Sequence, residues 1–495
     1  MTIDKLIKIV KQNNPQADLN AIRKAYNFAE KAHHGQKRLT GEDYIQHSLQ
    51  TAKTLAEMKL STSIIQAGLL HDVPEDTDRS LDEVREAFGD DVADMVTGIT
   101  KLGKIKYRGM DRYIENLRKM FLAMASDVRV IFIKFADRIN NLQTLDVHPP
   151  KKRYRIALET LEIYAPIANR LGMGEMKGAL EDLSFKYVYP KEYQWTIGIM
   201  AEKREVKEKL LNKISNAAKR EIEQAGIEIL DIHGRAKHIY SLYKKLLRYD
   251  REINRIHDLV ATRIIVKDIA DCYAVLGIIH SKWPPMKARI KDYIAQPKPN
   301  GYKSLHTTVF CEDGEIVEFQ IRTKEMHEED ELGIAAHWHY EEEKEGVNQK
   351  EKQLIWVKDL ARIQEQLQSR SQYIKNLEDL KIDVFQTRIF VITPKGDVID
   401  LPEDSTPIDF AYAIHTEVGD KCVGAKINDE MVNLKTKLKS GDLVEVLVDK
   451  KRKGPSAEWL KFVKTSRAKN KIRTKTKTKI TEWLKSVIPG SEENK

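Results

Sequence analysis

At 495 residues the chain exceeds what one hydrophobic core can serve, and its length alone points to about three domains. Hydrophobic residues at 41% and charged residues at 32% describe a soluble globular protein, and no apolar run approaches the ~20 residues that a membrane-spanning helix needs. The net charge of +9 favours polyanionic partners, while three widely separated cysteines (Cys272, Cys311, Cys422) exclude a disulfide framework and fit a reducing compartment.

The opening Met1-Thr2-Ile3-Asp4-Lys5 is charged too soon for the apolar region of a signal peptide, so the expected location is the cytoplasm. Residues 1–195 read as helix after helix, with apolar positions recurring at three and four and Gly or Pro as punctuation. Within them, His71-Asp72-Val73-Pro74-Glu75-Asp76 is a polar burst at the end of the apolar Ala67-Gly68-Leu69-Leu70. On a continuing helix His71 stacks with Glu75 and Asp72 with Asp76, which crowds an imidazole and several carboxylates together. That crowding is costly unless a cation neutralises it or water solvates it. His47, just ahead of an amphipathic helix, and Asp137, in the apolar run Ile131 to Ala136, are candidates for further ligands. Histidines mixed with carboxylates suit Mn²⁺, Fe²⁺ or Zn²⁺ more than a thiolate-type structural zinc. The competing reading is a solvated acidic helix end, with His71 as a C-cap and Asp137 paired with Arg138.

A strongly charged helix is expected over residues 201–226 as a connector. Beyond it, residues 259–266 and 316–321 are β-rich with helical signals around them, the mark of an α/β or α+β domain. Here Arg235 and Lys237 precede a helix bearing Ser241, Lys244 and Lys245, and Asp258 opens a strand that also bears Arg263. Alternation places Glu318, Gln320 and Arg322 on one face of a strand and Val317, Phe319 and Ile321 on the buried one. Asp258 and Glu318, reaching from separate strands, could hold Mg²⁺ against nucleotide phosphates, although either alone reads more readily as a solvated or salt-bridged carboxylate. The loop from Pro297 to His306 offers cations for phosphate and the Tyr302 ring for a base, in what is also ordinary turn material. There is no GxxxxGK[ST], so a nucleotide site here is not a P-loop.

A polar, Glu- and Gln-rich helix over residues 341–380 looks like a spacer. From Asp383 the chain turns to short strands interrupted by one amphipathic helix at 410–415, a β-grasp-like module. Residues 461–485 form a basic run, which reads as a solvated end before it reads as an RNA contact.

In chain order, the motifs His33-His34-Gly35-Gln36-Lys37-Arg38, His71-Asp72 with Glu75-Asp76, Ala136-Asp137-Arg138-Ile139-Asn140-Asn141, Gly234-Arg235-Ala236-Lys237-His238, Asn300-Gly301-Tyr302-Lys303-Ser304, Glu318-Phe319-Gln320-Ile321-Arg322-Thr323 and Asp409-Phe410-Ala411-Tyr412 closely resemble those of the long RelA/SpoT homologues. Those enzymes make and destroy the alarmone (p)ppGpp. The resemblance covers nearly the whole chain and implies a multidomain fold. Its parts are an all-α HD-type hydrolase domain (1–195), an α/β, nucleotidyltransferase-like synthetase domain (196–340), a helical linker (341–382), a small β-grasp TGS domain (383–449) and the basic start of a helical region (450–495). The family's C-terminal zinc-finger-like and ACT modules are not expected.

For the hydrolase domain the resemblance implies Mn²⁺ held by His47, His71, Asp72 and Asp137. Glu75 and Asp76 would orient water and handle protons, and Arg38 and Asn141 would contact the nucleotide. Pro74 departs from the usual aliphatic residue and is expected to kink the helix. For the synthetase domain it implies pyrophosphate transfer from ATP to the 3′-hydroxyl of GDP or GTP, with Asp258 on Mg²⁺ and Glu318 activating the hydroxyl. Arg235 and Arg263 would sandwich adenine, and Lys237, Ser241 and Lys245 would meet ATP phosphates. Tyr302 would stack on guanine, with Lys298, Asn300, His306 and Gln320 around the acceptor. Arg289 and Lys291 match the basic RxKD pattern of bifunctional members. His415 matches the position that meets the tRNA 3′ end, so the ribosome and uncharged tRNA are expected partners. The alternatives are a hydrolase-dominant protein with a regulatory synthetase half, and a ribosome-associated nucleotide sensor.

Overall fold

The structure is a computed structural model, and it describes residues 1–103, 119–249, 251–252, 260–287, 289–298, 300–311, 314–336, 388–395, 398–439, 441–452, 454–465 and 467–476. Asp258, the expected spacer at 341–382 and the end of the basic run lie outside the described residues. The chain divides into two compact units, Met1–Gln366 and Leu367–Lys495. No helix among the described residues is long and apolar enough to cross a membrane.

The first unit opens with a helical domain. Asp18 caps the Leu19–Ala32 helix, accepting from Ala21 N at 2.9 Å, and Ile22, Ala25 and Ala29 bury one stripe of it. The Thr62–Leu70 helix is buried along most of its length. Gly68 lets it approach the Ile45–Glu57 helix closely, because a Cβ there would come within 2.3 Å of the Leu55 side chain. The Arg129–Gln143 helix adds Phe132, Ile133, Phe135 and Leu142 to the core and buries two polar residues among them, Asp137 and Asn140.

The expected continuous helix through His71 to Asp76 is interrupted. It ends at Leu70, and a separate short helix, Val73–Asp76, follows a turn at His71-Asp72. Pro74 supplies the reason: it has no N–H to continue the first helix, yet fits the first turn of the second, where that N–H is not needed. His71 and Asp72 therefore occupy a corner, not a helical face.

The Pro190–Gln224 helix, 35 residues long, runs through both the expected connector and the boundary expected at 195/196. Leu211, Ile214, Ala218 and Ile222 recur at helical spacing and pack into the core of the following sheet, so this half is a structural layer as well as a connection. That sheet has the order β1-β2-β5-β4-β3, from Ile229–Ala236 (β1), Val260–Val266 (β2), Lys291–Asp292 (β3), Leu305–Phe310 (β4) and Ile316–Thr323 (β5). β2 and β5 are parallel and the other pairs antiparallel. Val317, Phe319 and Ile321 enter the core as the alternation predicts. The opposite face differs from expectation, because Gln320 and Arg322 are buried too, at 7% and 0% exposed. Asp330 and Glu331 of the Lys324–Leu332 helix reach the Arg322 and Arg263 guanidinium groups of that face and close it over.

The second unit pairs Arg388–Ile392 (β6) with Val398–Pro402 (β7), and orders Cys422–Ile427 (β8), Glu430–Val432 (β9) and Val444–Val448 (β10) as β10-β8-β9. A Thr406–Asp409 capping box starts its Pro407–Ile414 helix. Buried Asp409 also accepts from the backbone N–H groups of Lys464 and Thr465, tying the segment beyond the sheets to the module.

Candidate functional sites

In the helical domain the His71 corner meets the Ile45–Glu57 and Arg129–Gln143 helices. Ligand atoms of His47, His71 and Asp137 lie within 4.8 Å of one another. Asp72 adjoins them, with Oδ2 3.4 Å from His47 Nε2 and Oδ1 3.2 Å from His71 Nε2. The backbone and neighbours fix which nitrogens face inward. His71 Nδ1 is 2.9 Å from the Gly68 carbonyl and must donate to it, which leaves Nε2 as a lone pair. That Nε2 is buried and has no hydrogen-bond partner. His47 Nδ1 donates to Asn140 Oδ1 at 2.5 Å, so its Nε2 likewise faces Asp72 and Asp137. Two imidazole lone pairs turned toward two carboxylates, one of them an orphaned buried acceptor, form a donor set for a divalent cation.

The electrostatics agree. Burial opposes charge on His47, yet hydrogen bonds to Asp137 and Asp72 raise its pKa to about 9. Burial also opposes charge on Asp137, but Lys134, whose Nζ is 2.6 Å from Oδ2, and His47 hold that carboxyl well below the usual range. Asp72 is held low in the same way by His71 and His47, against its burial. A cation that displaces the His47 proton therefore enters a site whose two carboxylates already favour positive charge.

Around this cluster Arg38 donates to Asn140 Oδ1 at 3.0 Å and Asn141 Oδ1 at 2.6 Å, and Asn141 Nδ2 donates to Asp137 at 2.5 Å. Arg138 does not pair with Asp137. It stacks on Tyr164 at 4.2 Å and meets Glu159 at 3.2 Å, so the competing ion-pair reading is not what forms. Glu75 is half-buried and Asp76 exposed. Tyr44, which the sequence reading passed over, stands between the cluster and Asp76: its hydroxyl is 2.9 Å from Asp72 Oδ2 and 2.6 Å from Asp76 Oδ2. His33 stacks on the Tyr44 ring at 4.5 Å, which gives the His33-His34-Gly35 motif a positioning task.

On the sheet, β4 and β5 bring a second group together. His306 lies opposite Gln320 in register, and Glu318 opposite Thr308. Arg322 Nη2 donates to the Tyr302 hydroxyl at 2.9 Å, so that hydroxyl gives its own proton to His306 Nε2 at 2.6 Å. His306 Nδ1 then carries the N–H and faces Glu318 Oε1 at 3.1 Å. Burial lowers the His306 pKa and keeps the ring neutral. Gln320 Nε2 donates to the same Glu318 oxygen at 3.0 Å, and Arg322 is anchored by Asp330 at 2.5 Å. Lys298 lies over the Tyr302 ring at 4.3 Å, and burial pushes its ammonium down to about 8. Asn300 Oδ1 accepts from Tyr302 N at 3.4 Å, and Lys291 on β3 lies opposite His306. Asp330 and Lys134 join Tyr44 as residues that only the three-dimensional contacts reveal, and the same contacts give Arg322 and Asn140 their anchoring tasks.

The expected adenine and phosphate residues are more dispersed. Arg263 is 3% exposed and pairs with Glu331 at 2.7 Å, so its guanidinium is engaged within the fold. Arg235 lies on β1 opposite Ala261, its side chain outside the described residues. Ser241 faces Glu181 at 3.5 Å; Lys237, Lys245 and Arg289 are half-buried. In the second unit His415 is exposed and caps the Thr416–Lys421 helix, accepting from Glu417 N at 3.3 Å.

Residues 25–174 match the HD domain, 234–345 the region found in RelA/SpoT proteins, and 389–448 the TGS domain. Over 472 residues the chain is 41% identical to the bifunctional (p)ppGpp synthase/hydrolase SpoT of Escherichia coli, covering 95% of this chain and 66% of that protein. The chain belongs to the RelA/SpoT family. Other relatives in the family include the guanosine-3′,5′-bis(diphosphate) 3′-pyrophosphohydrolase of Aquifex aeolicus, 49% identical over 91% of this chain and 64% of its own length. The GTP pyrophosphokinase of Myxococcus xanthus is 45% identical over 94% of this chain and 61% of its own length. The chain thus spans less than two thirds of these RelA/SpoT relatives.

Proposed function

We propose that the chain is a bifunctional alarmone enzyme, hydrolysing (p)ppGpp to GDP or GTP plus pyrophosphate in its helical domain and making (p)ppGpp from ATP and GDP or GTP on its sheet. What carries this reading is that one compact unit holds two chemically distinct sites, the His47/His71/Asp137 donor set and the Glu318–His306–Tyr302 chain. Its relatives' names divide between the same two reactions.

For hydrolysis, His47, His71, Asp72 and Asp137 would hold a divalent cation, Mn²⁺ in this reading, which supplies Lewis-acid polarisation and acidifies water. Asp76, steadied by Tyr44, accepts the proton that water loses, and Glu75 orients that water. Arg38, held by Asn140 and Asn141, is placed to bind the nucleotide next to the cluster.

For synthesis, Glu318 accepts the proton of the acceptor 3′-hydroxyl as that oxygen attacks the β-phosphorus of ATP; the bond from this phosphorus to the α–β bridging oxygen breaks, and AMP leaves. Gln320 and His306 hold its carboxylate in place. Tyr302, fixed by Arg322, presents a ring face to guanine, and Lys298 above it gains full charge when phosphate arrives. The assignments of Mg²⁺ to Asp258 and of adenine to Arg235 and Arg263 rest on the family motif. So do those of phosphates to Lys237, Ser241, Lys245, Arg289 and Lys291, and of tRNA and the ribosome to His415. A cytoplasmic location fits these substrates.

Two incubations test the proposal: ATP with GDP and Mg²⁺ should yield a 3′-pyrophosphorylated nucleotide, and ppGpp with Mn²⁺ should return GDP and pyrophosphate. A chain that performs only one of them contradicts the bifunctional reading.

A further inference from the structure

Strand β3 ends at Asp292, and the turn that follows is fastened from two sides. Asp292 Oδ1 accepts from Ile294 N at 2.9 Å and Ala295 N at 2.8 Å, and its Oδ2 accepts from the Tyr273 hydroxyl of the Ile269–Lys282 helix at 2.8 Å. Tyr293 N donates to the Ser304 carbonyl at 3.0 Å, which continues the pairing of β3 with β4 by one residue. The half-buried Tyr293 ring is thereby set against His306, at 5.3 Å and 89°, and against Tyr302, at 5.8 Å and 74°.

The corner between the Tyr293 and Tyr302 rings is filled by the Lys298 ammonium, 4.6 Å from the first ring centre and 4.3 Å from the second. A cation over a ring face is attracted by the ring quadrupole, most strongly away from water. Among the described residues no carboxylate lies within ion-pair distance of this ammonium. Burial pushes it down to about 8. Two ring faces therefore hold a charge that burial disfavours, and they do so without using its N–H donors, which phosphate oxygens can take. The backbone keeps the pair together: Lys298 N donates to the Tyr302 carbonyl at 3.1 Å, and Gly301 N to the Lys298 carbonyl at 2.9 Å. Tyr302 alone would give the ammonium one wall and let it swing about its long stem. Tyr293 supplies the second wall.

We propose, on the reading that a guanine nucleotide binds over Tyr302, that Tyr293 is a positioning residue of the acceptor site: its ring completes a two-walled cage that holds the Lys298 ammonium ready for the nucleotide's phosphate. The ring face carries the effect, not the hydroxyl. It acts on binding, because a lysine already held in place need not be ordered by the ligand.

Titration calorimetry of GDP into the full chain tests this without either reaction. GDP affinity should fall about 3–10-fold in Tyr293→Leu and stay within about twofold of the original in Tyr293→Phe, which keeps the ring face. In a Lys298→Met background, which by itself weakens GDP binding, Tyr293→Leu should cause no further loss, because the charge it serves is gone. A purely structural role for Tyr293 would weaken binding in both backgrounds. A melting curve establishes that each variant is folded, and Tyr293→Met takes the place of Tyr293→Leu if the latter is not. Unchanged affinity in Tyr293→Leu, equal losses in the Phe and Leu variants, or additive losses with Lys298→Met overturn the proposal alone. Absence of GDP binding by the unaltered chain overturns the acceptor-site reading together with it.

Discussion

Tyr44 has one proton to share between Asp72 and Asp76, its hydroxyl lying within hydrogen-bond distance of both. Were a cation held by Asp72, the Tyr44 proton would fall to Asp76, the base of the proposed hydrolysis. Tyr44→Phe should therefore lower kcat for ppGpp hydrolysis about 10–100-fold with KM nearly unchanged, as expected when a positioning hydrogen bond to a general base is lost. A change confined to KM would show that Tyr44 serves nucleotide binding instead. The His-Asp pair at the centre of this cluster was legible in the sequence, because such a pair at the end of an apolar helix is costly without a partner. The tasks of Tyr44, Asn140 and Lys134 were not. Their roles depend on which helices meet, and nothing in local spacing reports that a tyrosine three residues before His47 reaches Asp76 across 32 positions.

At the scale of elements, two glycines and one histidine stand at the contact between the helical domain and the sheet. Gly172, at φ +76, sits where a Cβ would come within 2.8 Å of the Asn300 carbonyl oxygen, in the loop that leads to Tyr302. Gly172→Ala should cost about 1–3 kcal/mol in chemical unfolding of the first unit. It should also lower synthesis more than hydrolysis, because the displaced segment holds Tyr302; equal losses in both assays would argue against that route. His238 packs where a Gly178 side chain would be, with its Nδ1 2.8 Å from Asp182 and its Nε2 3.5 Å from Glu175. Burial opposes its charge, but those carboxylates raise its pKa to about 9 from an ordinary 6.5. A raised folded-state pKa contributes stability that is fully present below about 6.5 and lost as the pH climbs through about 9. The melting temperature should fall over that window, and by less in His238→Gln; identical slopes in the two proteins would remove His238 from the account. The element pattern was largely readable from periodicity. The effect of Pro74 was foreseen as a kink and is a full break after Leu70, because the proline starts one helix by ending another, whereas the burial of Gln320 and Arg322 was not foreseen and turns on a helix folding back over a polar strand face.

At the scale of the molecule, two chemically distinct clusters, one for each proposed reaction, share one compact unit without sharing a residue. The cation cluster draws on the helices Ile45–Glu57 and Arg129–Gln143 and the His71 corner, whereas the acceptor chain draws on β4, β5 and the loop before them. The division into three modules was apparent because helical period, strand alternation and short turn-rich strands follow one another along the chain. The order of strands in the sheet was not, since pairing β2 with β5 in parallel spans more than 50 residues that carry no periodic signal of it. The separation of the sites makes the most direct test a paired one. His71→Ala and Glu318→Gln, each confirmed as folded, are assayed in parallel for ppGpp hydrolysis with Mn²⁺ and for pyrophosphate transfer from ATP to GDP with Mg²⁺. The account predicts that the first loses hydrolysis and keeps synthesis, and that the second loses synthesis by a factor of about 10² or more and keeps hydrolysis. Loss of both activities in either variant, or of neither, would contradict it.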